Sequence, residues 1–300
     1  MDNLRKILRK LDDIQRHRRP LAFMYAVIKK YGEDTIGYQA ALLTYYAFLS
    51  LFPLLLVLTT LTQLIANTYP HLQASIIHGT TSYFPILGSQ LSAHVHSLHR
   101  SGVALIVGLL FTFYGARGVA DVFRHGVNRI WQVPKSEQDS FPQSAFKSFV
   151  IIVVGGLGFT VASVSAGLAA AAGHGLVFRL LSILLNVFIL FWLFVFLLRI
   201  SLPKKIAFGG LRTAAITAVT GLVVLQLLGG YLLARELKNL DALYSYFALA
   251  LGLLFWIYLQ AQIIYYSVVI AVVKTARLWP RSLSGRQPTK ADKQILASRQ

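Results

Sequence analysis

The chain has 300 residues, 56% of them hydrophobic and only 13% charged, with a mean hydropathy of +0.60. Soluble domains carry about a quarter charged residues, so this balance excludes an ordinary soluble globule and points to one helical membrane domain. The absence of cysteine excludes disulfides, thiolate catalysis and Cys-ligated metals together, and the formal net charge of +18 matters less by its size than by where it falls.

Five stretches contain no Lys, Arg, Asp or Glu: Thr35 to His99, Ser148 to Phe178, Leu180 to Leu198, Thr213 to Ala234 and Ala242 to Val273. About 20 apolar residues cover the roughly 30 Å hydrocarbon core of a bilayer, which makes this an all-α polytopic membrane protein. Lys and Arg number nine in Met1–Lys30, five in Arg117–Lys147, four in Arg199–Arg212 and seven in Lys274–Gln300, 25 of the 29. Arg100, Arg179, Arg235 and Lys238 are left for the alternate connections. Positive charge gathers on the cytoplasmic side, so both termini are expected in the cytoplasm and the number of crossings is even. The expected architecture is a six-transmembrane-helix bundle with amphipathic interfacial helices.

Residues 1–32 form a basic cytoplasmic segment without the apolar core and small-residue cleavage site of a signal peptide, so the first span is expected to direct its own insertion. Within it, Leu21 to Gly32 carries an apolar face ending at Lys29 and Lys30. That pattern suits a helix lying on the anionic inner surface, or a soluble helix packed on the loops. The membrane domain is expected over 33–275. Its first span, about Ala40 to Ala66, contains Pro53, which removes a backbone donor and predicts a kink near Leu49 that Ser50 or neighbouring helices offset. Residues 67–100, broken by Pro70, Gly79, Pro85 and Gly88, are expected as an outer loop of short interfacial helices. His94, His96 and His99 form H-x-H-x2-H there, the weak candidate for metal binding or pH sensing. Only His96 and His99 share a helix face and no acidic residue or cysteine accompanies them, so no metal and no cofactor is expected.

The second span starts near Ser101 and meets Arg117 after 16 uncharged residues, about 24 Å of helix. Arg117, Asp121, Arg124 and Asn128 recur at i, i+4, i+7 and i+11, one polar stripe opposite Val119, Val122, Val127 and Ile130, with Arg129 beside it. Ionisable residues at membrane depth are functional candidates, and this stripe calls for an anionic partner. A cationic pocket for a phosphate head group satisfies it. So does an Arg117 to Asp121 pair with Arg124 and Arg129 anchored at the inner surface.

The third span, near Phe149 to Ala172, has Gly158, Ala162, Ala166 and Ala170 at intervals of four, a small-residue stripe that lets helix backbones approach. The fourth, Leu180 to Leu198, has little polarity besides Ser182 and Asn186 and is expected to face lipid. The fifth runs from about Leu211 to Ala234. The sixth, about Leu243 to Val273, carries Tyr258, Gln262 and Tyr265 at i, i+4 and i+7, side chains that bond across helices or line a wet path. Residues 276–300 are expected as a basic, poorly ordered cytoplasmic tail.

Catalysis has little support. No Gly-rich phosphate loop, G-x-S-x-G elbow or HExxH is present, and the acidic residues near the spans stand singly apart from Glu33 with Asp34, so an enzyme is not expected. The run AALLTYYAFLSLFP from Ala40 to Pro53, YGARG from Tyr114 to Gly118, NRIW from Asn128 to Trp131 and WIYL from Trp256 to Leu259 resemble the YihY/BrkB family of bacterial inner-membrane proteins. The resemblance covers about Tyr31 to Val273 and implies six spans and an inner (plasma) membrane location. Members were long labelled ribonuclease BN, an activity for which this sequence has no metal-ligand set, and others are linked to serum resistance and to lipid or lipopolysaccharide handling. The chain departs from the family pattern at Tyr244-Ser245, where Tyr-Gly is frequent, and at Ser267, Val268 and Val269, where Gly-Ala-Glu is. The expected function is to bind or move an amphipathic anionic molecule of lipid class, with a non-transporting scaffold as the alternative and a ribonuclease last. Membrane lipids are the expected partners, a second copy or an envelope protein is open, and nucleic acid is not expected.

Overall fold

A computed structural model describes residues 12, 18–66, 102–171, 176–203, 205–236, 242–282 and 289–297. These are helical nearly throughout, with no strand among them: α1 (Arg19–Glu33), α2 (Ile36–Ala66), α3 (Gly102–Ile130), α4 (Gln143–Ala171), α5 (Leu176–Ser201), α6 (Phe208–Glu236), α7 (Ala242–Thr275) and α8 (Lys290–Ala297), with one 3₁₀ turn at Lys135–Glu137. The outer loop, and with it His94, His96 and His99, lies outside the described residues. Pro53 falls inside α2, which continues through it.

Helices α2 to α7 are 26 to 34 residues long. Among the described residues, three contain a segment long and apolar enough to cross a membrane: Leu180–Ser201 of α5, Phe208–Gln226 of α6 and Ala250–Thr275 of α7. Helix α4 adds a shorter apolar stretch, Gln143–Gly158. Helix α5 shows why its composition is so uniform. Leu181, Leu184, Phe188, Trp192 and Phe196 face outward, whereas the polar side chains Ser182 and Asn186 are buried. The Asn186 amide donates to the Ala162 carbonyl on α4 at 2.6 Å. A polar group without water must find its partner inside the bundle, so these residues turn away from the outer face.

The core joins α2, α3, α5, α6 and α7 with one face of α1. Close approach comes from small residues. Tyr46 of α2 lies where a side chain at Gly118 of α3 would stand, and Tyr265 of α7 does the same at Gly126. The expected stripe on α4 packs within this chain: at Gly158 a Cβ would come within 2.5 Å of Leu193 on α5, and Ala162 is fully buried. The side chain of Ala166 is outside the described set.

Two expectations need correction. The tail from residue 276 is not merely a solvated basic segment. Leu278, Arg281 and Ser282 are buried, and α8 closes on them through Asp292. Asp292 accepts from the Arg281 Nε at 2.9 Å, the Ser282 backbone N–H at 3.0 Å and the Thr289 hydroxyl at 2.9 Å. Arg281 also reaches both Glu33 oxygens, at 2.9 and 3.0 Å. Burial alone would push the Asp292 carboxyl up, but the donors from Ser282, Thr289 and Arg281 outweigh it and hold the group well below the usual carboxylate range.

The second correction concerns α1. Lys29 and Lys30 do not face outward toward an anionic surface. Lys29 donates to the Ser282 carbonyl at 2.6 Å and to Asp292 at 3.3 Å, and Lys30, 1% exposed, pairs with Asp34 at 2.7 Å. Partners inside the protein outcompete a lipid surface because they are pre-positioned and shielded from water.

Candidate functional site

The α3 stripe is where the sequence places its candidate site, and the structure divides it. At its C-terminal half the chain folds back over it. After Ile130 the helix ends with Gln132 at φ 53 and a Val133 N–H to Asn128 carbonyl bond of 3.0 Å, and the 3₁₀ turn returns the chain to the start of α4. This return brings Asp139, Ser144 and Ser148 onto Arg124. The guanidinium donates to Asp139 at 2.8 Å, to the Ser144 carbonyl at 2.7 Å and hydroxyl at 2.9 Å, and to the Ser148 hydroxyl at 3.0 Å. Lys147 adds a second contact to Asp139 at 2.7 Å. The expected anionic partner thus exists, but it is Asp139 of the same chain, and Arg124 is a buried clamp with no open side for a head group.

Asn128 is also committed. Its amide donates to the Arg124 carbonyl at 2.9 Å and to the Ser201 carbonyl of α5 at 3.0 Å, tying α3 to the end of a membrane-crossing segment. On α7, the Gln262 carbonyl oxygen accepts from the Tyr31 hydroxyl of α1, and the Tyr265 hydroxyl donates to the Val122 carbonyl of α3 at 3.0 Å. Tyr258 is half-buried against the core. Of the alternatives for this triplet, bonding across helices describes Gln262 and Tyr265. Gln262 also borders a cavity of about 280 Å³ between α6 and α7, with Thr217, Tyr266 and Ser267 on its wall.

The N-terminal half of the stripe is open. Arg117 is 56% exposed and its Nε stands 3.7 Å from Asp121, while Asp121 also accepts from the Ser148 hydroxyl. Tyr114 is exposed one turn before Arg117, and Tyr45, edge-on to Tyr46 at 5.3 Å, is exposed on α2 where that helix meets Gly118. The exposed row continues past Asp121 through His125 to Arg129, at i, i+4, i+8 and i+12 from Arg117. His125 is an addition to the expected set. Its Nδ1 meets the Asp121 carbonyl at 2.6 Å, which puts the proton on Nδ1 and leaves Nε2 facing outward. Continued i+4 spacing from Asp121 is the signal that points to it. Among the described residues no group of three or more His, Cys, Asp or Glu side chains comes together.

A helical bundle with three segments long and apolar enough to cross a membrane, and with a charged row exposed on α3, has the character of a helical membrane protein. Residues 27–291 match the family described as virulence factor BrkB, and the chain belongs to that family. No curated protein and no solved structure matches it.

Proposed function

We propose that this chain crosses the bacterial inner membrane six times, through α2 to α7, with both termini cytoplasmic, and that it binds an anionic amphipathic molecule of lipid class at the open part of the α3 stripe, around Arg117. The contact between Lys29 and Asp292 supports an even number of crossings, because a residue before the first span and one after the last meet at 3.3 Å. Helices α2, α3 and α4, of 29 to 31 residues, supply about 43 Å or more each against a core of about 30 Å. The concentration of 25 of the 29 basic residues on one side supports the orientation.

One observation carries the ligand: Arg117, more than half exposed, follows 16 uncharged residues and has only a stretched pairing with Asp121. An arginine uncovered beside lipid is costly, and a phosphate oxyanion offers its planar fork two short charge-assisted bonds. In this assignment Arg117 grips the phosphate, Tyr45 and Tyr114 flank it, Asp121 orients the guanidinium, and Arg129 meets the head group nearer the leaflet surface. Arg124 and Asn128 hold the scaffold. The test uses proteoliposomes and mass spectrometry of lipid carried through mild detergent. Arg117→Ala is expected to lose the anionic lipid adduct and any flipping of a labelled anionic lipid, and unchanged binding and flipping would sink the assignment.

The same row carries both signs, Arg117 and Asp121, so it is self-complementary, which favours a scaffold as the alternative. Crosslinking in native membranes separates the two, since a scaffold traps a stoichiometric protein partner. We propose no hydrolytic activity, and RNA cleavage by the purified chain with Mg²⁺ or Zn²⁺ would overturn that.

A further inference from the structure

Helix α1 is built inside out for a cytoplasmic surface helix. Such a helix normally buries an apolar stripe and shows its charges to water. Here every charged side chain from residue 20 to residue 34 turns toward the protein: Lys29 to Ser282 and Asp292, Lys30 to Asp34, Glu33 to Arg281. The face left outside is Leu21, Met24 and Ile28, at i, i+3 and i+7, exposed by 43%, 60% and 58%. The exposed cations Arg18 and Arg19 stand only at its start. Charges turned inward and paired, with large apolar side chains outward, are what contact with lipid selects.

The neighbours of α1 point the same way. At its far end, Tyr31 stacks on Tyr266 with ring centroids 4.0 Å apart and donates to Gln262, and both partners lie within Ala250–Thr275, the crossing segment of α7. At its near end, Phe23 meets Trp279, past the end of that segment. Helix α1 therefore runs alongside α7 from outside the crossing segment to a position inside it. Its apolar face is followed in the chain by Tyr38, Leu42 and Tyr45, exposed on the first turns of α2.

We propose that α1 lies half-submerged in the cytoplasmic leaflet, its ridge of Leu21, Met24 and Ile28 among lipid acyl chains and its ionic groups shielded against α7 and the C-terminal segment. The partner is the hydrocarbon of the inner leaflet, and Lys29 and Lys30 add no attachment to anionic head groups, because both are already paired. The proposal rests on the crossing of α7 and not on the head-group site, so Arg117→Ala leaves it unmoved.

The chain has no cysteine, so single replacements report without background. Leu21→Cys, Met24→Cys, Ile28→Cys and Arg18→Cys, each in the full chain, carry a nitroxide in vesicles of phosphatidylcholine, with and without phosphatidylglycerol. At positions 24 and 28 collisions with oxygen are expected to exceed those with a water-soluble nickel chelate several-fold, at 18 the reverse, and the ratios are expected to be the same in both lipid mixtures. Nickel-favoured collisions at 24 and 28 overturn the proposal by placing the ridge in water. Shielding from both reagents with spin–spin broadening overturns it by showing a second copy seated on the ridge. A ridge that surfaces when phosphatidylglycerol is omitted overturns the shielded-charge account. Position 21 repeats the measurement should either of the other two variants fail to fold.

Discussion

Arg117 and Arg124 stand two turns apart on the same side of α3, yet one is 56% exposed beside a single carboxylate and the other is 5% exposed among Asp139, Ser144 and Ser148. The helix treats them alike. What separates them is the chain that comes back: the turn after Ile130 returns Asp139 and the first turns of α4 over the lower arginine and leaves the upper one open. A buried ion pair is stabilised by matching its remaining donors, and here serines and a backbone carbonyl match one terminal nitrogen, while the buried Nε has no partner among the described residues. The open arginine has no such company beyond Asp121 at 3.7 Å.

The sharpest way to break this contrast is Arg124→Ala. It strips Asp139 and two serine hydroxyls of their shared donor and is expected to cost about 3 kcal/mol, the low end for a broken buried pair because Lys147 stays on Asp139. Denaturant unfolding in detergent micelles measures it. Next is Asp292→Asn in the C-terminal clasp, expected to cost about 2 kcal/mol because several donors lose a charged acceptor. The clasp also has a defined pH sign. The folded pKa of Asp292 is depressed, so its stabilisation is complete above the unfolded carboxylate value of about 3.9 and is lost as pH falls through the folded value. Acid unfolding of the wild type should steepen below about pH 4, and Asp292→Asn should flatten that limb. Asn128→Ala, which unties α3 from Ser201, is expected to cost about 1 kcal/mol on the same unfolding curve. Smallest is Arg117→Ala, expected to move stability by less than about 0.5 kcal/mol while removing anionic lipid binding. A destabilisation as large as that of Arg124→Ala would show that the two positions are not different in kind.

The all-helical fold was legible because it depends on bulk apolar content: the charge-free run Leu180 to Leu198 sits inside α5, Leu176–Ser201, and the run Ala242 to Val273 inside α7. Spacing also put Arg117, Asp121, Arg124 and Asn128 on one side of a helix. It could not say what lies over that side, since a 3.6-residue period reports direction and not cover. Thus Arg124 and Asn128 look like ligands in the sequence and are ties in the structure, while His125 escaped notice because the stripe was drawn through Asn128. The tail misleads for a related reason. Arg281 and Asp292 have the composition of a solvated segment, and their partners Glu33 and Lys29 lie 248 and 263 residues away. Local pattern carries no trace of such a distance.

That distance bears on how the molecule is made. Lys29 leaves the ribosome before any of the helices α2 to α7, and Asp292, which completes its surroundings, leaves only after all of them. Until then Lys30 has its local partner Asp34, while Lys29 and Glu33 have only each other at 4.0 Å. A chain halted before residue 281 lacks both Arg281, which Glu33 meets, and Asp292, which Lys29 meets.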